Sequence, residues 1–497
     1  VMLQVTDGGQ GAAFLREQGA MRTVRTAEIP VYRGLIEDRH GTPLAISSPV
    51  VSLWANPQQL KDSPRLEELS ALLGVDGAIL KDKLALYGNK HFMYLARHQA
   101  PDFARQILQE AFPGVRGERA YRRYYPAGEV TAQVLGSSNF DGEGIAGIEL
   151  ALAQWLQGVP GKKRFIKDLH GEAVRDVGLI TKPRPGKALS LSLDLRLQYV
   201  QHRELQRAMK ETGAVAGSAI TVDAWTGEIL AVSNYPVFNP NNREAFDYSA
   251  ARNRALTDVY EPGSTIKTLT LIAALESGQF TIDSLVDTAP GRIRVGRKML
   301  HDPRNYGEIS VSKIIEKSSQ VGVTKLAQAV GHEAVLDVLL RFGFGTQTGT
   351  GFPGERAGSL PSMAHWSEIE KVTLAFGYGL NATPIQLAQA YSILANDGVK
   401  QPLTLLKQER ETLPVGQRVV DAQVAQDVLQ VLGRVTGSGG TATLAQVPGF
   451  SVGGKTGTVH KVGETGYLDD QYVALFVGVA PLKKPRYVTT ILIDQPR

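Results

Sequence analysis

The 497-residue chain contains no cysteine. Disulfides, Cys-ligated zinc, iron–sulfur clusters and thiol catalysis are therefore excluded together, an absence that suits an oxidising compartment without establishing one. The zinc-hydrolase helix is missing too, since the nearest stretch, HEAVL from His332, lacks the second histidine of H-E-x-x-H. Neither a metal nor a cofactor is expected. No run of about 18 apolar residues occurs, so no segment of the sequence reads as a membrane span; VALFVGVA (473–480) has only the length of a strand. Val1 begins in mid-pattern, without the charged-then-apolar signature of a signal segment. A basic run interleaved with aromatics is also lacking. The net charge of +5 comes from 54 basic and 49 acidic residues spread along the chain, which permits an anionic surface as partner but does not point to nucleic acid. No repeat is evident.

What is present is ordinary globular composition, 43% hydrophobic and 21% charged, in a chain long enough for two or three domains. The first third breaks into short turn-bounded pieces. Within YRGLIEDRHGTPLAISSPVVSLWANP (32–57), Asp38-Arg39-His40-Gly41 reads as a turn between strand-like segments, whereas 63–75 and 100–115 read as helices ended by Gly or Pro. TKPRPGKA (181–188) interrupts all periodicity and marks a boundary, giving domains 1–187 and 188–497. Beyond it an alternating strand runs into an amphipathic helix (189–214), and two β-rich runs joined at Ala224-Trp-Thr-Gly227 form a hairpin. A mostly helical middle extends from 264 to about 435, and three strand runs close the chain. Strands at both ends with helices between them imply an α+β fold, one antiparallel sheet carrying helices on its faces.

The chemistry gathers in three short motifs. Ser264-Thr-Ile-Lys267 follows Pro262-Gly263 and opens a helix whose apolar residues, Ile266, Leu269, Ile272 and Leu275, recur at threes and which ends near Gly278. Ser264 and Lys267 share a face one turn apart, at the helix end whose unpaired N–H groups favour a developing anion. The pattern S-x-x-K decides nothing by itself, because Ser310-Val-Ser-Lys313 repeats it and a capping serine with a solvated lysine is the commoner reading. Ser318-Ser319-Gln320 then follows in the helical middle, and Lys455-Thr456-Gly457-Thr458 on a strand near the end. A serine becomes a useful nucleophile when a base removes its proton, and a lysine serves if burial or a second cation such as Lys455 lowers its pKa. Ser318 is placed to relay a proton to the leaving amine. Gly457 lets a substrate backbone lie against the strand, Thr456 and Thr458 offer hydroxyls to a carboxylate, and the N–H groups of Ser264 and Thr458 form an oxyanion hole.

These motifs, in this order, resemble those of class B penicillin-binding proteins, and most of all the cell-division (septal) peptidoglycan D,D-transpeptidases. The likeness extends well beyond the motifs. RGLIEDRHGTPLAIS (33–47) resembles the family's R-G-x-I-x-D-R-x-G-x-x-L-A signature, GIAGIELALAQWLQGVPGKKRFIKDLHG (144–171) its G-x-x-G-[IL]-E segment, and FGYGLNATPIQLAQAYSILANDG (376–398) its glycine-led segment before a helix. SSQVGVTKLA is closer to the division type's S-S-N-V-G than to the S-x-D of elongation enzymes; Gln320 departs from the usual asparagine. An unaltered Ser-x-Asn, Ser137-Ser138-Asn139, precedes the nucleophile and is read as coincidence. Tyr378, Gly377 and Gly379 read as structural, and Asp38 and Arg39 as holding a turn or an interdomain contact.

The resemblance implies a penicillin-binding, serine β-lactamase-like transpeptidase domain, with a five-stranded antiparallel sheet and helices on both faces, after an elongated N-terminal pedestal. It implies Ser264, Lys267, Ser318 and Lys455 as catalytic residues and Gln320, Thr456, Gly457 and Thr458 as substrate-binding ones. The expected reaction is acyl transfer. Ser264 attacks the penultimate D-Ala of a peptidoglycan stem peptide, D-Ala leaves, and an amine of a neighbouring stem completes the cross-link; β-lactams acylate the same serine. Division proteins, including a glycan polymerase, are the expected partners through the pedestal and an inner-membrane anchor upstream of Val1, with the catalytic domain periplasmic. Three rivals remain. A class A β-lactamase needs E-x-x-L-N, where Glu333 offers only EAVLD; a class D enzyme has no pedestal. A non-enzymatic penicillin-binding sensor would not turn over substrate, and a D,D-carboxypeptidase would use water in place of the amine.

Overall fold

The computed structural model describes residues 24–167, 173–242, 247, 249–360, 366–463 and 466–497. In the first part, strand β1 (Val24–Ile29) pairs with β5 (Gly161–Lys167), and β5 with β6 (Ala173–Thr181). The long β2 (Pro43–Ala55) lies between β3 (Met93–Gln99) and β4 (Val115–Tyr124), antiparallel to both. Helices α1 (Leu66–Leu73), α2 (Gly77–Leu86) and α3 (Pro101–Gln109) pack Leu69, Leu80, Leu84 and Ile107 against Leu53 of β2. Their limits follow local chemistry: Gly74 ends α1 with φ at 68°, Asp76 caps α2 through Ala78 N, and Pro101 opens α3.

The two signature segments of this part meet in one buried ion cluster. Glu149, fully buried, accepts from Arg33 Nε at 2.5 Å through one oxygen and from Arg123 Nε at 2.6 Å through the other. The turn read at Asp38–Gly41 is also present, with Asp38 Oδ1 accepting from His40 N and Thr42 N. Asp38 Oδ2 reaches Leu195 N, while Arg39 donates to Glu228 at 3.0 Å, so the turn fastens this part to the next. The chain crosses by a short parallel pairing of Ile36–Glu37 with Leu189–Ser190; the expected strand stops there, and a single bridge of Leu191 to Leu406 followed by a bend leads to Asp194, which caps α4 (Leu195–Thr212).

Five strands form the main sheet. β7 (Ala216–Asp223) and β8 (Ile229–Tyr235) make the expected hairpin, and the chain end supplies the remainder. Along β7 the faces alternate, as a strand requires. Thr221 Oγ1 donates to Gln201 of α4, whereas Ile220 and Val222 pack on the other side with Ile385 and Ala388. Helices therefore cover both faces.

The middle is less uniformly helical than its pattern implies. Helix α5 (Lys267–Glu276) follows a 3₁₀ turn over Gly263–Ile266, and Gly278 stops it at φ 70°. Ile266, Leu269 and Ile272 are wholly buried, each contributing roughly 1.5–3 kcal/mol of burial. Four short strands then intervene: β9 (Leu285–Asp287) pairs with β12 (Glu308–Ser310) around the inner hairpin β10 (Arg292–Val295) and β11 (Lys298–His301). Helices α6 (Val311–Glu316), α7 (Gln320–Val330), α8 (Pro384–Ala395) and α9 (Ala422–Thr436) follow, with two further helices over His332–Arg341 and Glu368–Leu374 between α7 and α8. Finally β13 (Gly453–Gly463), β14 (Gly466–Ala480) and β15 (Tyr487–Asp494) return to the sheet in the order β8-β7-β15-β14-β13, antiparallel throughout. Among the described residues no helix is long and apolar enough to cross a membrane.

Candidate active site

The Ser264 turn is held from two sides by close backbone packing. Gly263 has φ at 54°, and a Cβ there would stand 2.4 Å from Val459 Cγ1 of β13. From the other side, Gly377 O accepts from Gly263 N at 3.1 Å, and a Cβ on Gly377 would fall 2.1 Å from Gly263 O. Both positions need glycine for close approach. Glu261, just before the turn, accepts from Gly379 N and Tyr467 OH, tying the glycine-led loop and the β14 strand to the nucleophile's approach. Ser264 is half-buried and Lys267 almost wholly buried.

Lys267 Nζ does not reach Ser264 Oγ by hydrogen bond. It donates instead to Ser318 O at 2.6 Å and Ser318 Oγ at 3.2 Å. Lys455 Nζ donates to the same Oγ at 3.0 Å and to Thr456 O at 3.1 Å. Ser318 thus stands between two lysines from a distant helix and a distant strand. Burial pushes the Lys267 ammonium down to about 8, although the negative charge of Asp302 works against the fall. Lys455 is lowered well below 10.5, first by burial and then by the charge on Lys267. The sequence reading allowed either burial or the charge of Lys455 to depress Lys267. Burial carries the shift on Lys267, and the charge of Lys267 acts on Lys455 rather than the reverse.

Ser318 sits at φ 55°, an uncommon conformation for serine. The turn that enforces it is pinned by Asp302, delivered by the β10–β11 hairpin. Asp302 Oδ2 accepts from Ser319 Oγ at 2.6 Å, and Oδ1 from Gln320 N at 2.6 Å and Val321 N at 3.1 Å. Ser319 Oγ in turn caps α7 by accepting from Gly322 N. Sequence reasoning missed Asp302 because no motif links it to Ser318; only the unforeseen hairpin does. Gln320 opens α7 with its backbone fixed, and its half-buried side chain makes no hydrogen bond among the described residues.

β13 is the edge of the sheet, so alternate N–H and C=O groups point away from its neighbour. Lys455, Gly457 and Val459 face inward and are buried, whereas Thr456 and Thr458 lie on the accessible side, with Thr458 exposed. A Cβ on Gly457 would stand 3.0 Å from Pro262 O and 3.2 Å from Thr265 Cγ2. Its missing side chain therefore makes room for the Ser264 turn, a more specific reason than the substrate clearance expected from sequence. Thr456 Oγ1 lies 3.3 Å from Thr441 Oγ1.

The second S-x-x-K resolves differently. Ser310 caps α6 by accepting from Lys313 N, and Lys313 pairs with Glu316. Ser137-Ser138-Asn139 lies in the first part, where Asn139 Oδ1 accepts from Asp141 N and Glu143 N.

Comparison with known proteins gives the context for this geometry. Residues 217–497 match the penicillin binding protein transpeptidase domain, and residues 28–191 the penicillin-binding protein dimerisation domain. Over 499 residues the chain is 38% identical to the probable peptidoglycan D,D-transpeptidase PbpC of Pseudomonas aeruginosa, covering 100% of this chain and 87% of that one. It is 38% identical over 491 residues to peptidoglycan D,D-transpeptidase FtsI of Escherichia coli K12, covering 97% and 82%. Penicillin binding protein 3 of Mycobacterium tuberculosis, solved with aztreonam, superposes with a TM-score of 0.73 at 30% identity, covering 95% of this chain and 91% of that one. The chain belongs to the class B penicillin-binding proteins, with a dimerisation domain followed by a transpeptidase domain.

Proposed function

We propose that this protein is a septal peptidoglycan D,D-transpeptidase with Ser264 as its nucleophile. The observation that supports it most is the placement of Ser318 Oγ between two buried lysines, beside the turn that presents Ser264. As Ser264 Oγ bonds to the carbonyl carbon of the penultimate D-Ala, its proton passes to Lys267, and the oxyanion is met by the N–H groups of Ser264 and Thr458. The C–N bond to the terminal D-Ala then breaks, with Ser318 handing the leaving amine its proton from the lysine pair. In the second half an amine from a neighbouring stem attacks the acyl-enzyme, loses a proton along the same route and releases Ser264. Thr456 and Thr458 hold the substrate carboxylate, Gly457 keeps the strand close to the nucleophile, and the Gln320 amide addresses the donor's backbone. A β-lactam enters as a donor mimic and stays bound to Ser264.

Residues 1–187 form the interaction pedestal in this reading and 188–497 the catalytic domain. An apolar anchor upstream of Val1 holds the protein in the inner membrane, the catalytic domain is periplasmic, and the pedestal and anchor meet division proteins including a glycan polymerase. Reading the full open reading frame tests the anchor.

Intact-protein mass spectrometry after incubation with benzylpenicillin tests the chemistry. One drug mass should add to the parent and none to Ser264→Ala; labelling that persists in that variant, or appears at Ser310, overturns the assignment. A long-lived adduct with turnover of a thioester donor onto an amine acceptor separates the transpeptidase from a β-lactamase, a sensor and a carboxypeptidase.

A further inference from the structure

Between the second and third motifs lies a loop that neither motif includes, Gly437-Ser-Gly-Gly-Thr-Ala442. It begins where α9 ends. Gly437 N donates to Gly433 O at 3.1 Å, Gly440 N to Gly437 O at 3.0 Å and Ala442 N to Val435 O at 3.0 Å, so the chain folds back over the last turn of the helix. The return is tight: a Cβ on Gly440 would stand 2.0 Å from Val435 O, and that position needs glycine. Ala442 is buried, and Thr436 Oγ1 donates to Val452 O at 2.6 Å, which ties the start of the loop to the approach of β13.

The loop touches both motifs. Gly439 O accepts from Nζ of Lys317, the residue immediately before Ser318. Thr441 Oγ1 lies 3.3 Å from Thr456 Oγ1, the hydroxyl next in sequence to Lys455. The loop carries no charged residue, and Lys317 is already paired with Glu316 at 3.3 Å. What the loop brings to this edge of the sheet is a hydroxyl. Thr441 is exposed and Thr456 half-buried, and neither side chain has another hydrogen bond among the described residues. Each hydroxyl owns one proton, and only one of the two can lie between the oxygens. The other is left for an acceptor that comes from outside.

We propose that Thr441 is a further substrate-binding residue, whose hydroxyl joins that of Thr456 in holding the terminal carboxylate of the donor stem. The assignment rests on the reading of Ser264 and the Lys455–Thr458 strand given above and extends it to a residue outside the three motifs. A carboxylate suits the pair, because its two oxygens can each take a charge-assisted bond from hydroxyls on two different elements. A neutral amide in the same place forfeits that charge assistance, so the loop threonine favours an acid-terminated donor.

Two thioester donors test this on the full chain. N-benzoyl-D-alanyl thioglycolate ends in a carboxylate and the matched thioglycolamide does not. Both release a thiol on acylating Ser264, and a chain without cysteine gives a thiol reagent no background. In the parent, kcat/KM should favour the acid by about tenfold or more. Thr441→Val, matched in shape but lacking the hydroxyl, should reduce that preference by about fivefold or more, and Thr441→Ser should keep it to within about twofold. A loop that only props the strand would slow both donors alike, and the ratio does not depend on how much of a variant folds. An unchanged ratio in Thr441→Val, a ratio in Thr441→Ser that falls as far as in the valine variant, or a parent that prefers neither donor would each overturn the proposal. Benzylpenicillin separates the two levels: label at Ser264 with an unchanged ratio removes Thr441 alone, whereas a parent that takes no label removes the nucleophile assignment and this proposal with it.

Discussion

If Lys267 is the base that receives the Ser264 proton, acylation must follow its titration. Its ammonium is lowered from 10.5 to about 8, so the neutral fraction rises from about 1% at pH ~6 to about 90% at pH ~9, and the rate should rise about 90-fold across that range. Stopped-flow acylation with a fluorescent penicillin gives the profile directly. A rate that varies less than about threefold between pH ~6 and pH ~9 refutes the reasoning. Asp302→Asn, which removes the charge that supports the Lys267 ammonium, should move the limb to lower pH as well as slowing its plateau. The same titration appears in stability. The folded pKa of Lys267 lies below the unfolded value, so the unfolded chain binds the extra proton between them. Stability is therefore reduced by its full amount, about 3 kcal/mol, below pH ~8, and this is regained as pH rises from about 8 towards 10.5. In Lys267→Met this contribution to the pH dependence of the denaturant midpoint should vanish.

Three further outcomes follow from the geometry. Gln320→Asn should preserve or raise the second-order acylation constant, because the longer amide must fold back at a cost on the order of 1 kcal/mol of side-chain entropy, whereas Gln320→Ala should lower it; an alanine variant equal to the parent removes Gln320 from the site. Gly457→Ala places a methyl 3.0 Å from Pro262 O, and the few tenths of an ångström by which the Ser264 turn must yield should slow acylation by about 10- to 100-fold with little change in melting temperature. Glu149→Gln leaves two buried guanidiniums without their carboxylate and should cost about 3–5 kcal/mol in denaturant unfolding, while the acylation rate of the folded fraction stays at the parental value.

How much of this was legible depended on whether the signal was local. The Ser264 helix announced itself through Pro-Gly before it and apolar residues at threes, and the hairpin at Ala224–Gly227 and the three closing strands through alternation and turn chemistry. That Lys267, Ser318 and Lys455 come together was legible from motif order. Asp302 was not, because its bonds to Ser319 and Gln320 depend on two short hairpins whose strands are only three or four residues long. Runs that brief give periodicity nothing to register. Glu261 was hidden likewise, since its partners Gly379 and Tyr467 lie far along the chain. Gly457 was recognised for a plausible reason, but its true neighbour, Pro262, is nearly two hundred positions earlier and visible only in the packed structure.

The ion cluster in the dimerisation domain also bears on how this sequence can change over time. Arg33, Arg123 and Glu149 come from three separate segments and are buried together. Altering any one strands the charge of another, so the single steps between alternative triplets pass through poorly folded intermediates. The three positions should drift as a unit or not at all. A random mutagenesis library selected only for folding should return changes at these sites mostly in pairs, even though none of them lies near the nucleophile.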